Sequence, residues 1–264
     1  VWSSHCGEKD RMGVAKYLFK QKSIIVTGGA TGIGAAIVRA FADAQANVFS
    51  LDLPNAHKTS FSTSNVTRAD CDVTNVAALT ATVAAIGEEH GLDVLVCNAG
   101  VWSDASVDDA TEAEFERVVS VNLKGSFFAI QAALPWLRPS GGSIALIGSD
   151  QSIVGKPGQG VYGLTKGAIA QLTKSTSAAL AADGIRVNCT CPGSIDTPLL
   201  HDAVRKCALK TGKPEAELHE WLQTAQPVPR IGRPSEVAQA VLSSCCNEVM
   251  TGAIISVDGG YTAV

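Results

Sequence analysis

Tyr162 and Lys166 stand four residues apart in Tyr162-Gly163-Leu164-Thr165-Lys166. On a helix that spacing puts a phenol and an ammonium on one face. A free phenol ionises near pH ~10 and is a poor proton acceptor at neutral pH. The expectation is that the ammonium favours phenolate, lowers the pKa and makes Tyr162 a usable general base or acid. Ser149 follows Ser143-Ile144-Ala145-Leu146-Ile147, which reads as a short buried strand. A hydroxyl there could hold a substrate oxygen beside the phenol. The same Tyr-x-x-x-Lys spacing is also found on solvated helix faces, so the chemistry depends on a cofactor being supplied elsewhere.

The chain supplies the elements of such a site. Ser23-Ile24-Ile25-Val26 reads as a buried strand, followed at once by Thr27-Gly28-Gly29-Ala30-Thr31-Gly32-Ile33-Gly34. Ile33, Ile37 and Phe41 then recur at helical spacing. Glycines let backbone approach a pyrophosphate, and a helix N-terminus offers free N–H groups and a positive dipole end. A tight turn without a ligand would use the same glycines. The next strand, Asn47-Val48-Phe49-Ser50-Leu51, ends at Asp52. That is about twenty residues past the turn, where a carboxylate can accept hydrogen bonds from ribose hydroxyls and repel a 2′-phosphate. Thr31 adds no positive charge. Both points predict NAD in preference to NADP.

Further along, Asp70-Cys71-Asp72-Val73 reads as the close of a third strand. Asp72 could face an adenine amino group or cap the next helix, which begins near Thr74 or Asn75 and stops around Gly91. Asp93–Cys97 is a fourth strand running into Asn98-Ala99-Gly100, a turn suited to close backbone approach. Thr111-Glu112-Ala113-Glu114 has the pattern of a capping box and opens one long helix that ends near Pro139. Asn122 sits in its interior, either as a core hydrogen bond or for a functional reason. The Tyr162 helix runs to about Ala182; Ile185–Cys189 is a sixth strand, broken by Cys191-Pro192-Gly193. Residues 194–234 have poor periodicity and read as a substrate-loop insertion, of the kind that forms a mobile lid. Ser235–Cys246 is a helix and Ala253–Val257 a last strand.

Strands alternating with helices predict an α/β fold: a single doubly wound Rossmann-like domain over 22–264, with a parallel sheet of about seven strands and helices on both faces. Ligands then bind beyond the carboxyl ends of the strands. The glycine turn, Asp52, Asn98, Ser149 and Gly193 all follow predicted strands, so they should gather along one sheet edge.

Composition narrows the partners. The chain has 264 residues and a formal net charge of −4, with no basic stretch carrying interleaved aromatics, so nucleic acid is not an expected partner. No apolar run reaches membrane-span length, so no membrane is expected. Its eight cysteines form no Cys-x-x-Cys pair and no His cluster has ligand spacing, so no metal is expected. Free thiols suit a reducing cytosol, which makes cytoplasmic the expected location. Residues 1–21 read as a leading extension. Val1–Arg11 is polar and unlike a secretory signal, while Met12 reads as a natural start, which would make the stretch before it a tag, a remnant or a disordered extension.

Taken together, these residues resemble the short-chain dehydrogenase/reductase family from Lys22 to Tyr261. Thr27-Gly28-x-x-x-Gly32-x-Gly34, with Thr31 and Ile33, is similar to its cofactor motif, and Asn98-Ala99-Gly100 to its sheet-stabilising turn. Asn122, Ser149, Tyr162 and Lys166 match its catalytic tetrad in order and approximate spacing. Pro192-Gly193 with Ile195 and Thr197 resembles its nicotinamide-binding segment; Asp52, Asp72 and Val73 complete the expected NAD site.

The resemblance implies that Tyr162 exchanges the proton of an alcohol while hydride passes between its carbon and the nicotinamide. Ser149 would hold the substrate oxygen, Lys166 the nicotinamide ribose, and Asn122 a water relaying protons to Lys166. It also implies a homotetramer packed through the helices that start near Thr111 and Gln159. The expected substrate is a small polar secondary alcohol or ketone, including a sugar or sugar-acid, because Trp102, Ser103, Asp150, Gln151, His201 and Arg205 are expected around the pocket and are polar for a site reading only hydrocarbon. Trp102 could stack on a sugar or anchor a loop. Alternatives are 3-oxoacyl thioester reduction, against which Asp52 speaks, and a steroid-like ring alcohol. A non-catalytic NAD-binding scaffold or sensor is the reading from another class, and the intact tetrad speaks against it.

Overall fold

Ser23–Thr27 (β3) is buried at every position, and its side chains serve two cores in alternation. Ile24 and Val26 face one, Ile25 the other. A strand buried on both faces belongs to the middle of a covered parallel sheet. The computed structural model describes residues 6–9, 15–17, 19–56, 61 and 63–264. Cys6–Lys9 (β1) pairs antiparallel with Ala15–Tyr17 (β2), so strand structure lies within the stretch expected to be a tag, remnant or disordered extension. Met12 lies outside the described residues.

After β3 come Gly32–Asp43 (α1), Asn47–Asp52 (β4), Val66–Asp70 (β5), Val76–His90 (α2) and Val94–Cys97 (β6). Glu112–Val119 (α3), Gly125–Leu137 (α4), Ser143–Ile147 (β7), Gly160–Leu180 (α5) and Arg186–Pro192 (β8) follow. The chain closes with Pro198–Thr211 (α6), Glu215–Thr224 (α7), Pro234–Cys246 (α8) and Ile254–Val257 (β9). Seven strands form one parallel sheet in the order β5-β4-β3-β6-β7-β8-β9. Helices α1 and α8 bury Ile37, Val38, Phe41, Val241 and Leu242 on one face. Helices α2, α4 and α5 bury Leu79, Val83, Ile130, Leu137 and Ile169 on the other.

Strand order reverses between β3 and β6, the switch point at which such sheets open a crevice. Asn98 closes it from below: its side-chain amide donates to Thr27 O at 3.0 Å and to Gly28 O at 2.8 Å. The Thr27 hydroxyl in turn accepts the N–H groups of Asn98 and Ala99, at 3.1 and 3.2 Å. The glycine turn is thereby fixed to the neighbouring strand end.

Three segments differ from their sequence reading. The third strand is Val66–Asp70, ending at the first of the residues 70–73 that were expected to close it. It is the half-exposed edge strand, paired through Asp52↔Asp70, so it lacks the apolar run that marks a central strand. The sixth strand does not break at Cys191; Cys191 and Pro192 still pair with Ser256 and Val257 of β9. The expected single helix from Thr111 is interrupted at Ser120–Lys124 by a wide π-type turn, in which the Gly125 N–H reaches back to Ser120 O. Asn122 sits at the centre of that turn, which accounts for a mediocre helix former at an interior position.

Candidate active site

A cleft of about 440 Å³ runs along the carboxyl edge of the sheet. The glycine turn lines one end through Gly28, Thr31, Gly32, Ile33 and Gly34, with Asp52, Asp72 and Val73 beside it. Asn98, Ala99 and Gly100 line its middle. Ser149, Tyr162 and Lys166 line the other end, together with Pro192, Gly193, Ile195 and Thr197. The residues expected to hold cofactor and to do chemistry are thus brought to one cavity. Asn122 lies behind it, 1% exposed.

The glycine end has the shape and charge of an anion cradle. Gly28 and Gly32 adopt φ of +66° and +53°. A Cβ on Gly34 would stand 1.9 Å from Gly28 O, so a side chain there cannot be accommodated. Thr31 makes no side-chain cap for α1, whose first turn carries no acidic residue. Its leading N–H groups and positive dipole end are therefore available to a phosphate. Asp52 Oδ2 accepts the Ala30 N–H and Oδ1 the Leu53 N–H, both at 2.8 Å. A carboxylate oxygen can accept more than one hydrogen bond, so the group is fixed with acceptor capacity left for a diol. These residues fit a dinucleotide. Asp72, open to two readings in sequence, spends Oδ1 on Thr74 N and Thr74 Oγ1; the helix cap itself is Asn75, accepting from Ala78 N at 3.1 Å.

At the other end, α5 carries Tyr162 and Lys166 on one face. Lys166 is 5% exposed, its Nζ donating to Ile147 O at 2.8 Å and lying 5.6 Å from the centre of the Tyr162 ring. Burial pulls the Lys166 ammonium down to about 8, against the favourable influence of Cys189 and Cys191. Burial also pushes the Tyr162 phenol above its ordinary range. A hydrogen bond with Ser149 counters that rise, while Asp150 and Cys191 add to it. The expected depression of the phenol by Lys166 is therefore not what the protein's own groups give: desolvation dominates, and the groups acting on the phenol are Ser149, Asp150 and Cys191. Ser149 caps a short helical turn, Asp150–Ser152.

The Asn122 side chain accepts from Val101 N at 2.8 Å and donates to Val101 O and Thr165 Oγ1. It thereby ties the loop after β6 to α5. Its backbone carbonyl accepts the Ser126 hydroxyl at 2.8 Å.

Of the six residues expected around the substrate, Trp102, Asp150 and Gln151 line the cleft; Ser103, His201 and Arg205 do not. His201 pairs with Asp196 and Arg205 with Asp202, both outside it. Trp102 Nε1 donates to Gln159 Oε1 at 3.1 Å, and Gln151 Nε2 bonds the same oxygen. Sequence reasoning missed Lys156, Gln159 and the apolar faces of α6 and α7, where Leu200, Val204, Leu218 and Trp221 close the cleft from above. The spacing of Leu200, Val204 and Cys207 carried the helical stripe; nothing in the sequence marked Lys156.

A family model described as enoyl-(acyl carrier protein) reductase matches residues 28–262. L-Fucose dehydrogenase of Mus musculus is 37% identical over 247 residues, 92% of this chain and 89% of that protein. Cis-4-hydroxycyclohexanecarboxylate dehydrogenase of Sinomonas cyclohexanicum is 35% identical over 262 residues, 93% of this chain and 98% of that protein. The solved structure of ligand-free aldohexose dehydrogenase from Thermoplasma acidophilum superposes with a TM-score of 0.84 at 32% identity, covering 93% of this chain and 95% of that one.

Lys166 gives a stability test. Its folded pKa lies below the unfolded value of 10.5, so the burial penalty is fully present below about 8 and is relieved as pH rises from there to 10.5. Lys166→Met should abolish turnover yet raise the melting temperature at pH ~7 by a few degrees, the gain shrinking across that window. A melting temperature that falls at pH ~7, or a gain independent of pH, would contradict the assignment of a destabilising buried ammonium.

Proposed function

Because the chain belongs to the short-chain dehydrogenase/reductase family, we propose that it is an NAD-dependent alcohol/ketone oxidoreductase whose acid–base group is Tyr162. The juxtaposition of Ser149, Tyr162 and Lys166 at one end of the cleft with the glycine cradle and Asp52 at the other carries this reading. A nicotinamide cofactor, when bound, gives or takes the hydride. The chain's own residues do the rest.

Tyr162 moves a proton to or from the substrate oxygen, which Ser149 steadies. Lys166, held by Ile147 O, places a positive charge beside the Tyr162 ring and would hold a nicotinamide ribose hydroxyl. Asn122 positions the loop that forms the cleft's middle wall. A phenol with a raised pKa is protonated at neutral pH and suits proton donation to a carbonyl undergoing reduction. Alcohol oxidation by direct deprotonation should therefore rise with pH, since the phenolate population grows as pH climbs towards the raised value. NAD is the proposed cofactor because Asp52 places its carboxylate beside the cradle, where a 2′-phosphate would be repelled.

The substrate end has two characters. Trp102, Gln151 and Gln159 form a polar, hydrogen-bonded floor. The leucines, Val204 and Trp221 of α6 and α7 form an apolar roof. That combination suits a small hydroxylated ring, with a sugar or sugar-acid as the leading class. The roof also favours a carbocyclic ring alcohol as a second reading. Phe115 on α3, Phe127 on α4 and Leu164 on α5 are all more than a third exposed, which supports a homotetramer formed through these helices.

A panel of aldoses, sugar acids and cyclic alcohols with NAD, followed by NADH absorbance, tests the substrate class; turnover of acyl thioesters alone would overturn it. Within that assay Tyr162→Phe should lower kcat by about a thousandfold or more while NADH binding stays within a few-fold. Substantial residual activity would remove Tyr162 from its role. Asp52→Ala should weaken NAD binding and relax discrimination against NADP, and an unchanged preference would count against the ribose contact.

A further inference from the structure

The indole of Trp102 can donate one hydrogen bond and accept none, so whatever faces its Nε1 must be an acceptor. That acceptor is Gln159 Oε1, 3.1 Å away. Gln151 Nε2 donates to the same oxygen. Donors on two sides of one amide oxygen fix which way round the Gln159 side chain stands. Turned over, its N–H groups would face two other N–H groups, and both bonds would be lost. Gln159 lines the cleft, and its Nε2 has no partner among the described residues.

Both donors are themselves held. Asn122 bonds Val101 N and O at 2.8 and 3.0 Å, and Arg117 Nη2 donates to Trp102 O at 3.3 Å, so the indole is fixed from α3 and from the turn that follows it. Gln151 is 7% exposed, and turning its amide would set its oxygen against Gln159 Oε1. It keeps its nitrogen towards Gln159 even though its own Oε1 is then buried without a partner. That oxygen lies against Gly163, where a Cβ would stand 3.1 Å from it. An orphaned buried acceptor is a cost that a freely turning amide would avoid, so the polarity of this trio is imposed by the indole.

The floor therefore offers N–H donors from Gln159, the cap residue of α5, three positions before Tyr162. The acidic residues lining the cleft are Asp52 and Asp72 at the glycine end and Asp150, whose carboxylate meets Lys156 Nζ at 2.5 Å. Among the described residues, no unpaired carboxylate lines the Tyr162 end to repel an anion, and Lys166 adds a positive charge there.

We propose that Gln159 is a specificity-determining residue whose Nε2 donates to a carboxylate of the substrate, and that Trp102 is a positioning residue acting through it. The substrate class is then a hydroxy acid, a ring alcohol that also bears a carboxylate, such as a sugar acid, in preference to its neutral counterpart. This deepens the reading of the cleft as an alcohol/ketone oxidoreductase site and rests on it. A hydrogen bond from an amide to a carboxylate is charge-assisted and roughly twice as strong as one between neutral groups. A hydroxymethyl group in the same place accepts the bond without the charge and is held less well.

Gln159→Glu reverses the chemistry while keeping the network. One carboxylate oxygen still accepts from Trp102 and Gln151, and the other puts an acceptor where the N–H donors were. The experiment compares kcat/KM with NAD within two matched pairs: D-glucuronate with D-glucose, and 3-hydroxycyclohexanecarboxylate with 3-(hydroxymethyl)cyclohexanol. Wild type should favour the acid of a pair by about tenfold or more, mainly through KM. Gln159→Glu should lower the acid-to-neutral ratio by about a hundredfold or more, a change that a merely structural residue with its bonds intact would not produce. Trp102→Phe, which frees the Gln159 amide to turn, should lower the ratio by a smaller factor. Titration of the protein–NADH complex with cyclohexanecarboxylate and with cyclohexylmethanol makes the same comparison without turnover, with the acid bound more tightly by wild type and more weakly by Gln159→Glu. Gln159→Met, which removes the donors without adding charge, supplies the same readouts if Gln159→Glu fails to fold. A preference of wild type for the neutral partner, or an acid-to-neutral ratio that the Gln159 variants leave unchanged, overturns the proposal and leaves the oxidoreductase reading standing. Activity retained by Tyr162→Phe overturns that reading itself.

Discussion

A lysine ammonium held out of water beneath a tyrosine is the constraint on which this cleft depends. Lys166 Nζ is bound by the carbonyl of Ile147, the last residue of a central strand. That bond fixes α5 against the carboxyl edge of the sheet, and Tyr162 one turn earlier is fixed with it. The arrangement is costly in isolation, since burial disfavours the charge. Such strain is tolerated at functional sites when surrounding structure over-determines it. Here the surroundings are Asn122, which ties the β6 loop to α5 through Val101 and Thr165, and Asn98, which ties the same loop's start to the glycine turn. A chain of amide hydrogen bonds therefore links the cradle that fits a pyrophosphate to the group that would exchange the proton.

The cleft is asymmetric in its chemistry. The end with the glycine turn is mostly backbone, glycines and helix N–H groups, with Asp52 and Asp72 as its charged side chains. The opposite end, where Ser149, Tyr162 and Lys166 stand, is built from side chains, with Trp102, Gln151 and Gln159 on its floor and apolar residues of α6 and α7 on its roof. Asp150 and Lys156 neutralise each other there, so the floor offers hydrogen bonds without a net charge. The roof, on α6 and α7, is joined to the cradle because Thr197, the cap of α6, packs against Gly32. Movement of those helices would bear on cofactor and substrate together.

Much of this was legible in the sequence because it rests on short-range rules. A four-residue spacing placed Tyr162 and Lys166 on one face; a strand followed by glycines and an apolar helix placed the cradle; Asp52 followed from strand length. What was not legible depends on long-range packing. The edge strand β5 is half exposed, so Val66–Asp70 carries no apolar run to announce it. The turn at Asn122 is a backbone irregularity within a pattern that still reads as helix. The direction of the Tyr162 shift follows from how deeply α5 is buried, and spacing alone suggested the opposite sign. Lys156 lies in a loop, and its partnership with Asp150 exists in three dimensions alone. His201 and Arg205 were placed at the pocket by chain position, yet the helix turns them towards their own acidic partners.

The most direct test of the buried ammonium is its own titration. The ¹⁵Nζ resonance of Lys166, assigned by its loss in Lys166→Met, would be followed against pH with and without NADH. The account expects half-titration near about 8 in the free protein and a change in the resonance when NADH binds. Titration near the ordinary 10.5, with no response to NADH, would mean that Lys166 is neither desolvated nor part of a cofactor site.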